Sequence, residues 1–151
     1  MAALSDYLES GLLNFLFRGQ SLSAPSNISI ALTSGVPLDA HTGNTIPECA
    51  SGIAGLSNGY ARVDLGAPSS TTWSYTAADH AVGSGVVKNS GQIVFNTALL
   101  DWGWVSGIAI VDSSIYGSGN VLMQATLDNP RVIYAGDNVK FDYQTLEISF
   151  K

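Results

Sequence analysis

Residues Trp104–Val111 read WVSGIAIV. With side chains alternating along an extended chain, Trp104, Ile108 and Ile110 fall on one side and Val105, Ala109 and Val111 on the other, so both faces are apolar. A strand of this kind is covered on both sides and lies in the middle of a core. Its neighbours read as β as well. Ser113–Asn120 is a glycine-containing turn, and Val121–Leu127 is a second strand. Asn129 and Pro130 punctuate the chain before a short strand at Val132–Tyr134. Ala135, Gly136, Asp137 and Asn138 then make the strongest hairpin-like turn in the sequence. Beyond it Val139, Phe141 and Tyr143 alternate with Lys140 and Asp142, and Leu146, Ile148 and Phe150 alternate with Glu147, Ser149 and Lys151. The last strand predicts a C-terminus tied into a sheet.

Upstream, Ile28, Ile30 and Leu32 alternate with Ser29 and Ala31 in a half-buried strand ending at Ser34 and Gly35. Residues 36–58 are rich in Gly, Pro, Ser and Thr without a sustained period, which predicts a long loop. Tyr60–Leu65 resumes a strand after the Asn58–Gly59 turn. Trp73 and Tyr75 share a face, Asp79–Gly85 is loop, and Val86–Asn96 is a strand broken near Gly91.

One helix precedes all of this. Leu4, Leu8, Leu12 and Phe15 recur at spacings of four, four and three, with Leu16 widening the stripe, which predicts a helix over about 4–18. Ser5 and Asp6 mark its start, with Glu9 completing a capping box from Asp6, and Arg18 followed by Gly19 marks its end. Tyr7, Leu13 and Phe17 make more than one side apolar. Such a helix lies across a sheet and also touches a neighbour. The expected architecture is a mainly β domain over residues 1–151: a β-sandwich, jelly-roll-like, of about seven to nine short strands over 26–151 with one N-terminal helix.

At 151 residues with 46% apolar content the chain can bury one sizeable core. Charged residues are only 12%, against roughly 25% in ordinary soluble domains. The polar face is therefore built from Ser, Thr, Asn and Gly, which can be buried against other subunits without desolvating charge. Net charge is −6 and the six basic residues are scattered singly, so no phosphate-binding patch exists and nucleic-acid binding is not expected. The single cysteine, Cys49, cannot form an intrachain disulfide and reads as a small apolar residue. The apolar stretch Gly11–Phe17 follows Asp6 and Glu9, where a secretion signal would be basic, and no run is long enough to span a membrane.

No constellation carries catalysis. His41 and His80 stand in loops without a second ligand at metal spacing, and Asp79 beside His80 points elsewhere in an extended chain. The G-x-S-x-G pattern is absent, and Gly83–Gly85 and Gly117–Gly119 read as turns that no helix follows. Asp112, Asp128, Asp137 and Asp142 sit at strand ends, where Asp caps backbone groups. No cofactor is expected. Trp102 and Trp104 share a face at the start of the central strand, and one or both belong to the core. Trp73 is the candidate for a glycan platform or a subunit contact. The residues assigned to subunit or partner contact are Leu8, Leu12, Leu13, Phe15, Phe17 and Trp73. The Asn27–Ile28–Ser29 sequon carries no weight without a secretory signal.

Taken in order, these segments resemble the small tail-fibre proteins of tailed bacteriophages, closest to those of cyanophages and other marine phages. Proteins of that group open with a helix of the form L-x-x-Y-L-E-x-x-L-L-x-x-L-F-R-G, here Leu4, Tyr7, Leu8, Glu9, Leu12, Leu13, Leu16, Phe17, Arg18 and Gly19. A G-Y-A-R segment follows (Gly59–Arg62), then a W-G-x-V strand (Trp102–Val105) and a closing A-G-D turn (Ala135–Asp137). The resemblance implies a non-enzymatic structural protein of the virion, made in the host cytoplasm. It would pack on capsid or tail as a decoration (cement) protein or as a fibre or tip component. Other phage structural proteins are the implied partners, with a homo-oligomer, a trimer by analogy, as the assembly. The alternative is a carbohydrate-binding module that recognises the host surface.

Overall fold

The computed structural model describes residues 3–49, 57–74 and 85–149. Tyr75, the Asp79–His80 pair, the loop running to Ser84, part of the 36–58 loop and Phe150 fall outside the described residues. The elements in chain order are β1 (Ala3–Leu4), α1 (Asp6–Arg18), β2 (Ser29–Thr33), β3 (Val63–Asp64), β4 (Trp73–Ser74) and β5 (Val86–Asn89). They continue with β6 (Ile93–Val94), β7 (Gly103–Val111), β8 (Val121–Ile133), β9 (Lys140–Phe141) and β10 (Glu147–Ser149). The chain is mainly β, in a sandwich-like arrangement of antiparallel sheets. Five strands are ordered β1-β8-β7-β2-β3, three β10-β5-β4, and two β6-β9. Among the described residues ten strands form, several of them only two or three residues long.

The segment 104–111 is central, as its sequence requires. β7 lies between β2 and β8, with Ser29 opposite Val111 and Thr33 opposite Gly107. Ile30, Leu32, Ile108 and Ile110 face the main core with Met123, Tyr60, Phe95 and Trp102. On the other face Ala31, Ala109, Val111 and Val121 meet Ile46, so part of the long loop, and not a second sheet, covers this side. Small residues suit it, because a loop backbone lies close above them. A Cβ on Gly107 would collide with the Thr33 hydroxyl.

Strict alternation and register fail at several places, one of them a shift between Ile110 and Val111, which pair with Met123 and Val121. Val105 pairs with Arg131 while Gly107 pairs with Thr126, so residues 127–130 stand opposite Ser106 alone. This bulge brings Val105 into the same core cluster as Ile108 and Ile110, where alternation had put it on the opposite face. It also accounts for Asn129 and Pro130. The expected turn there is a bulge within the continuous 13-residue β8, since Pro130 has no N–H to give to the ladder. At the start of β7, Gly103 has φ +79°, which breaks the period-two relation of the flanking tryptophans. Trp102 is buried and donates from Nε1 to the Asn58 carbonyl at 2.9 Å, whereas Trp104 is 51% exposed.

The Ala135–Asn138 turn closes locally, with Asp137 N–H donating to the Tyr134 carbonyl at 3.0 Å and the Asp137 carboxylate accepting from Tyr134 N–H at 2.9 Å. It is not a hairpin: β9 pairs with β6, placing Phe141 opposite Ile93. Of the expected strand at Tyr60–Leu65, Val63 and Asp64 form the ladder and Leu65 N–H extends it to the Ile28 carbonyl at 2.9 Å, while Tyr60 and Arg62 turn inward to a buried carboxylate. The closing strand is tied in as expected, with Ile148 opposite Val87 of β5.

The helix begins at Asp6, two residues later than Leu4. Ala3 and Leu4 pair with Gln124 and Met123 as β1, and Ser5 joins strand to helix. Its hydroxyl accepts from Leu8 N–H as the N-cap and donates to the Val121 carbonyl, while its N–H donates to the Leu122 carbonyl at 3.1 Å. Ser5, not Asp6, is thus the cap, and no capping box forms because the third helical position is then Leu8, which has no side-chain acceptor to return. Gly19, in the left-handed region at φ +65°, ends the helix.

Candidate functional site: an apolar contact surface

Helix α1 contains no buried residue. Only its N-terminal half meets the sheet, where Leu8 packs against the main core beside Leu4 of β1. The second half projects, leaving Leu13 57%, Phe15 51%, Leu16 65% and Phe17 77% exposed. Of the six residues assigned to contact from sequence, Leu13, Phe15 and Phe17 are therefore exposed. Leu8 and Leu12 are half-buried, and so is Trp73, which packs against the main core. Leu16, set in the stripe by its spacing, belongs to the exposed group. At 100° per residue, Phe15, Leu16, Leu13 and Phe17 cover about 200° of the helix circumference. A seam with one partner occupies roughly half of that.

A second exposed apolar group surrounds the outer tryptophan. Trp104 lies opposite Val132, and the loop before β7 is bonded to the turn after β8 by Gly136 N–H to the Ala98 carbonyl (2.7 Å) and Ala135 N–H to the Asp101 carboxylate (2.8 Å). Those bonds bring exposed Leu99, Leu100 and Tyr134 to the same region.

The loops at 43–48 and 113–118 are joined by a buried polar cluster that the sequence reading missed. Glu48 and Arg62 are both buried. Arg62 donates from Nε to Glu48 Oε1 at 2.9 Å and from Nη2 to Oε2 at 2.8 Å. Its remaining N–H groups reach the carbonyls of Gly43 (2.9 Å), Ser113 (2.8 Å) and Ser118 (2.8 Å). All five guanidinium donors are engaged. Tyr60 Oη donates to the same Glu48 Oε1 at 2.8 Å and accepts from Leu32 N–H at 3.0 Å. Burial, with the Glu48 charge beside it, holds the Tyr60 phenol well above its ordinary pKa. A side chain on Gly43 would strike the Ser118 carbonyl, so glycine is required where the two loops meet. The signal available in the sequence was the tyrosine and arginine two apart in Gly59–Arg62, which alternation points to one face.

Cys49 follows Glu48 and is fully buried, with its N–H bonded to the Leu32 carbonyl at 2.8 Å. Burial first, and the Glu48 charge second, push its thiol up to about 12. His41 Nδ1 accepts from Leu38 N–H at 2.9 Å within its own loop. Asp112 accepts from Asn120 N–H at 2.6 Å and from its amide at 2.8 Å, the backbone-capping role expected for strand-end aspartates. The sequon residue Asn27 bonds Asp64 and Ser29. Among the described residues no three His, Cys, Asp or Glu side chains are grouped to hold a metal, and no helix is long and apolar enough to cross a membrane.

A cleft of about 810 Å³ runs between the β8 bulge and the segment from Val139 to Glu147. Asp128, Asn129 and Arg131 line one wall, and Lys140, Asp142 and Thr145 the other. Leu127, Phe141 and Leu146 add apolar surface.

Compared with known families, the chain matches the family model Gp80, described as Podophage GP4 fiber I protein gp80, over residues 3–149. No curated protein matches it.

Proposed function

The chain belongs to the Gp80 family of podophage fibre proteins, and from that premise we propose that it is a non-enzymatic structural component of the virion, carried on the outside of the tail. The family description favours a fibre component over capsid decoration. The observation that carries the reading is the projecting half of α1. Four large apolar side chains left exposed on one half-helix form a surface for a neighbouring virion subunit, because burying each contributes roughly 1.5–3 kcal/mol. Their spread around the helix suits contact with two neighbours at once, as in a closed ring of copies. Leu13, Phe15, Leu16 and Phe17 are the contact residues in this reading, with Leu8 fixing the helix to its own core.

Quantitative mass spectrometry of purified particles tests the placement. A fibre component is expected at a few to a few dozen copies per particle, in the fraction that retains tails. Hundreds of copies, retained on tailless heads, would make it a capsid decoration protein instead.

A further inference from the structure

We infer that the projecting half of α1 in one copy seats on the exposed apolar group around Trp104 in a second copy of the same chain. The inference rests on the reading of Leu13, Phe15, Leu16 and Phe17 as contact residues, and it names the surface that receives them. Both surfaces stand open on one chain, so neither covers the other within a single copy. In a closed assembly every copy offers its helix to a neighbour's tryptophan surface and receives a helix on its own, which leaves neither surface bare.

Their places in the fold keep the two surfaces apart. Ser5, at the start of α1, is bonded to the Val121 and Leu122 carbonyls at the beginning of β8. The chain re-enters the sheet at that same end, with Ser29 opposite Val111. Trp104 lies at the other end of β7, opposite Val132. From Trp104 to Val111 the strand advances about 23 Å. The helix thus leaves one end of the sheet and the receiving surface occupies the other.

Charge and hydrogen-bonding groups on the two surfaces match. The acids of α1, Asp6 and Glu9, lie in its first turn, and the charge on the projecting half is Arg18. The segments 95–104 and 132–138 carry Asp101 and Asp137 and neither Lys nor Arg. Arg131 shares a face with its ladder partner Val105, across the sheet from Trp104. Asp101 accepts from Ala135 N–H through Oδ1, and its second oxygen is available to a guanidinium. Helix on helix or patch on patch would gather like charges, whereas helix on patch sets a cation among carboxylates. The last carbonyls of a helix have no partner within it. Trp104 Nε1 and Tyr134 Oη are donors without a partner among the described residues, and they can supply those carbonyls. Tryptophan and tyrosine are also the side chains that anchor interface centres.

The experiment uses the full chain and follows mass by light scattering after size exclusion, with circular dichroism as the check on folding. Leu100→Asp/Tyr134→Asp spoils the receiving surface and leaves α1 intact, while Leu16→Asp/Phe17→Asp does the reverse. Each is expected to fall from the wild-type oligomer to the mass of one chain with its spectrum unchanged. Mixed, the two are expected to give a species of twice that mass, because each supplies the surface the other lacks and a single link can form. In parallel, Phe17→Cys/Trp104→Cys treated with a flexible bismaleimide should give crosslinked oligomers on a denaturing gel, with Cys49 buried and inaccessible, and either single change should give monomer. The proposal is overturned if the wild type is a monomer, if the patch variant keeps the wild-type mass, or if the mixture stays monomeric. It is equally overturned if the double cysteine variant does not crosslink, or if Phe17→Cys alone crosslinks to itself. Dissociation of the helix variant without dissociation of the patch variant leaves α1 as the contact of the fibre reading and removes only its seat at Trp104.

Discussion

Arg62 grips Glu48 through both carboxylate oxygens, 2.9 Å from Nε and 2.8 Å from Nη2, with neither side chain open to solvent. The pair holds the 36–49 loop, which covers the second face of the central sheet, against the 113–118 turn. Removing one partner leaves the other as a buried, uncompensated charge. Arg62→Ala and Glu48→Ala are each expected to lower unfolding stability by about 3–5 kcal/mol, read from urea melts. A coupling energy near zero in the Arg62→Met/Glu48→Leu double-mutant cycle would contradict this.

Cys49 is expected to be inert. Its thiol is raised by burial to about 12, and the thiolate is the reactive species. Native protein at pH 8 should resist iodoacetamide while guanidinium-unfolded protein is alkylated fully, as read by intact mass. The unfolded thiol loses its proton near its ordinary value of 9.0, but the folded thiol does so only near 12. Over that window the unfolded state binds fewer protons, so stability falls as pH rises from about 9 towards 12. A Cys49→Ala variant should lose the part of this decline that sets in near pH 9, while the part due to the raised Tyr60 phenol, which begins above its ordinary value of 10.0, remains.

Gln144 adopts φ 59° in the turn before β10, a conformation in which a side chain is strained and glycine is not. Gln144→Gly should therefore stabilise the fold by roughly 0.5–1 kcal/mol, the strain relieved less the added freedom of the unfolded chain. A thermal melt detects this as a rise in midpoint. A fall would mean that the glutamine side chain contributes more than its backbone costs.

How much of this was legible depends on whether a feature is local. The central position of residues 104–111 followed from two apolar faces, and the helix ending at Gly19 from spacing and a capping residue. The 113–120 turn was equally plain. The two-residue strands were not, because their pairing is set by partners far along the chain. The β8 bulge erased the Asn129–Pro130 turn for a related reason: a missing N–H can be absorbed inside a long strand as well as between two. Gly103 separated Trp102 from Trp104 because its positive φ cancels the alternation that had placed them together. The Arg62–Glu48 cluster was the largest omission. A lone arginine on an inward-pointing position has no visible partner until a residue 14 positions away folds against it.

The helix supplies the prediction that bears most directly on assembly. Leu16 and Phe17, 65% and 77% exposed, make no contribution to the chain's own core, so replacing them should leave the fold intact. On the proposed reading a neighbouring copy covers them, and each charge introduced there would be buried unpaired. Leu16→Asp/Phe17→Asp is accordingly expected to shift the protein from an oligomer to a monomer in light scattering after size exclusion, with an unchanged circular dichroism spectrum and melting temperature beyond the loss due to dissociation. Leu8→Asp is the contrasting variant: Leu8 packs on the core, so it should destabilise the monomer itself by about 2–5 kcal/mol. If the double variant elutes with the same mass as wild type, the projecting half of α1 is not the contact between copies.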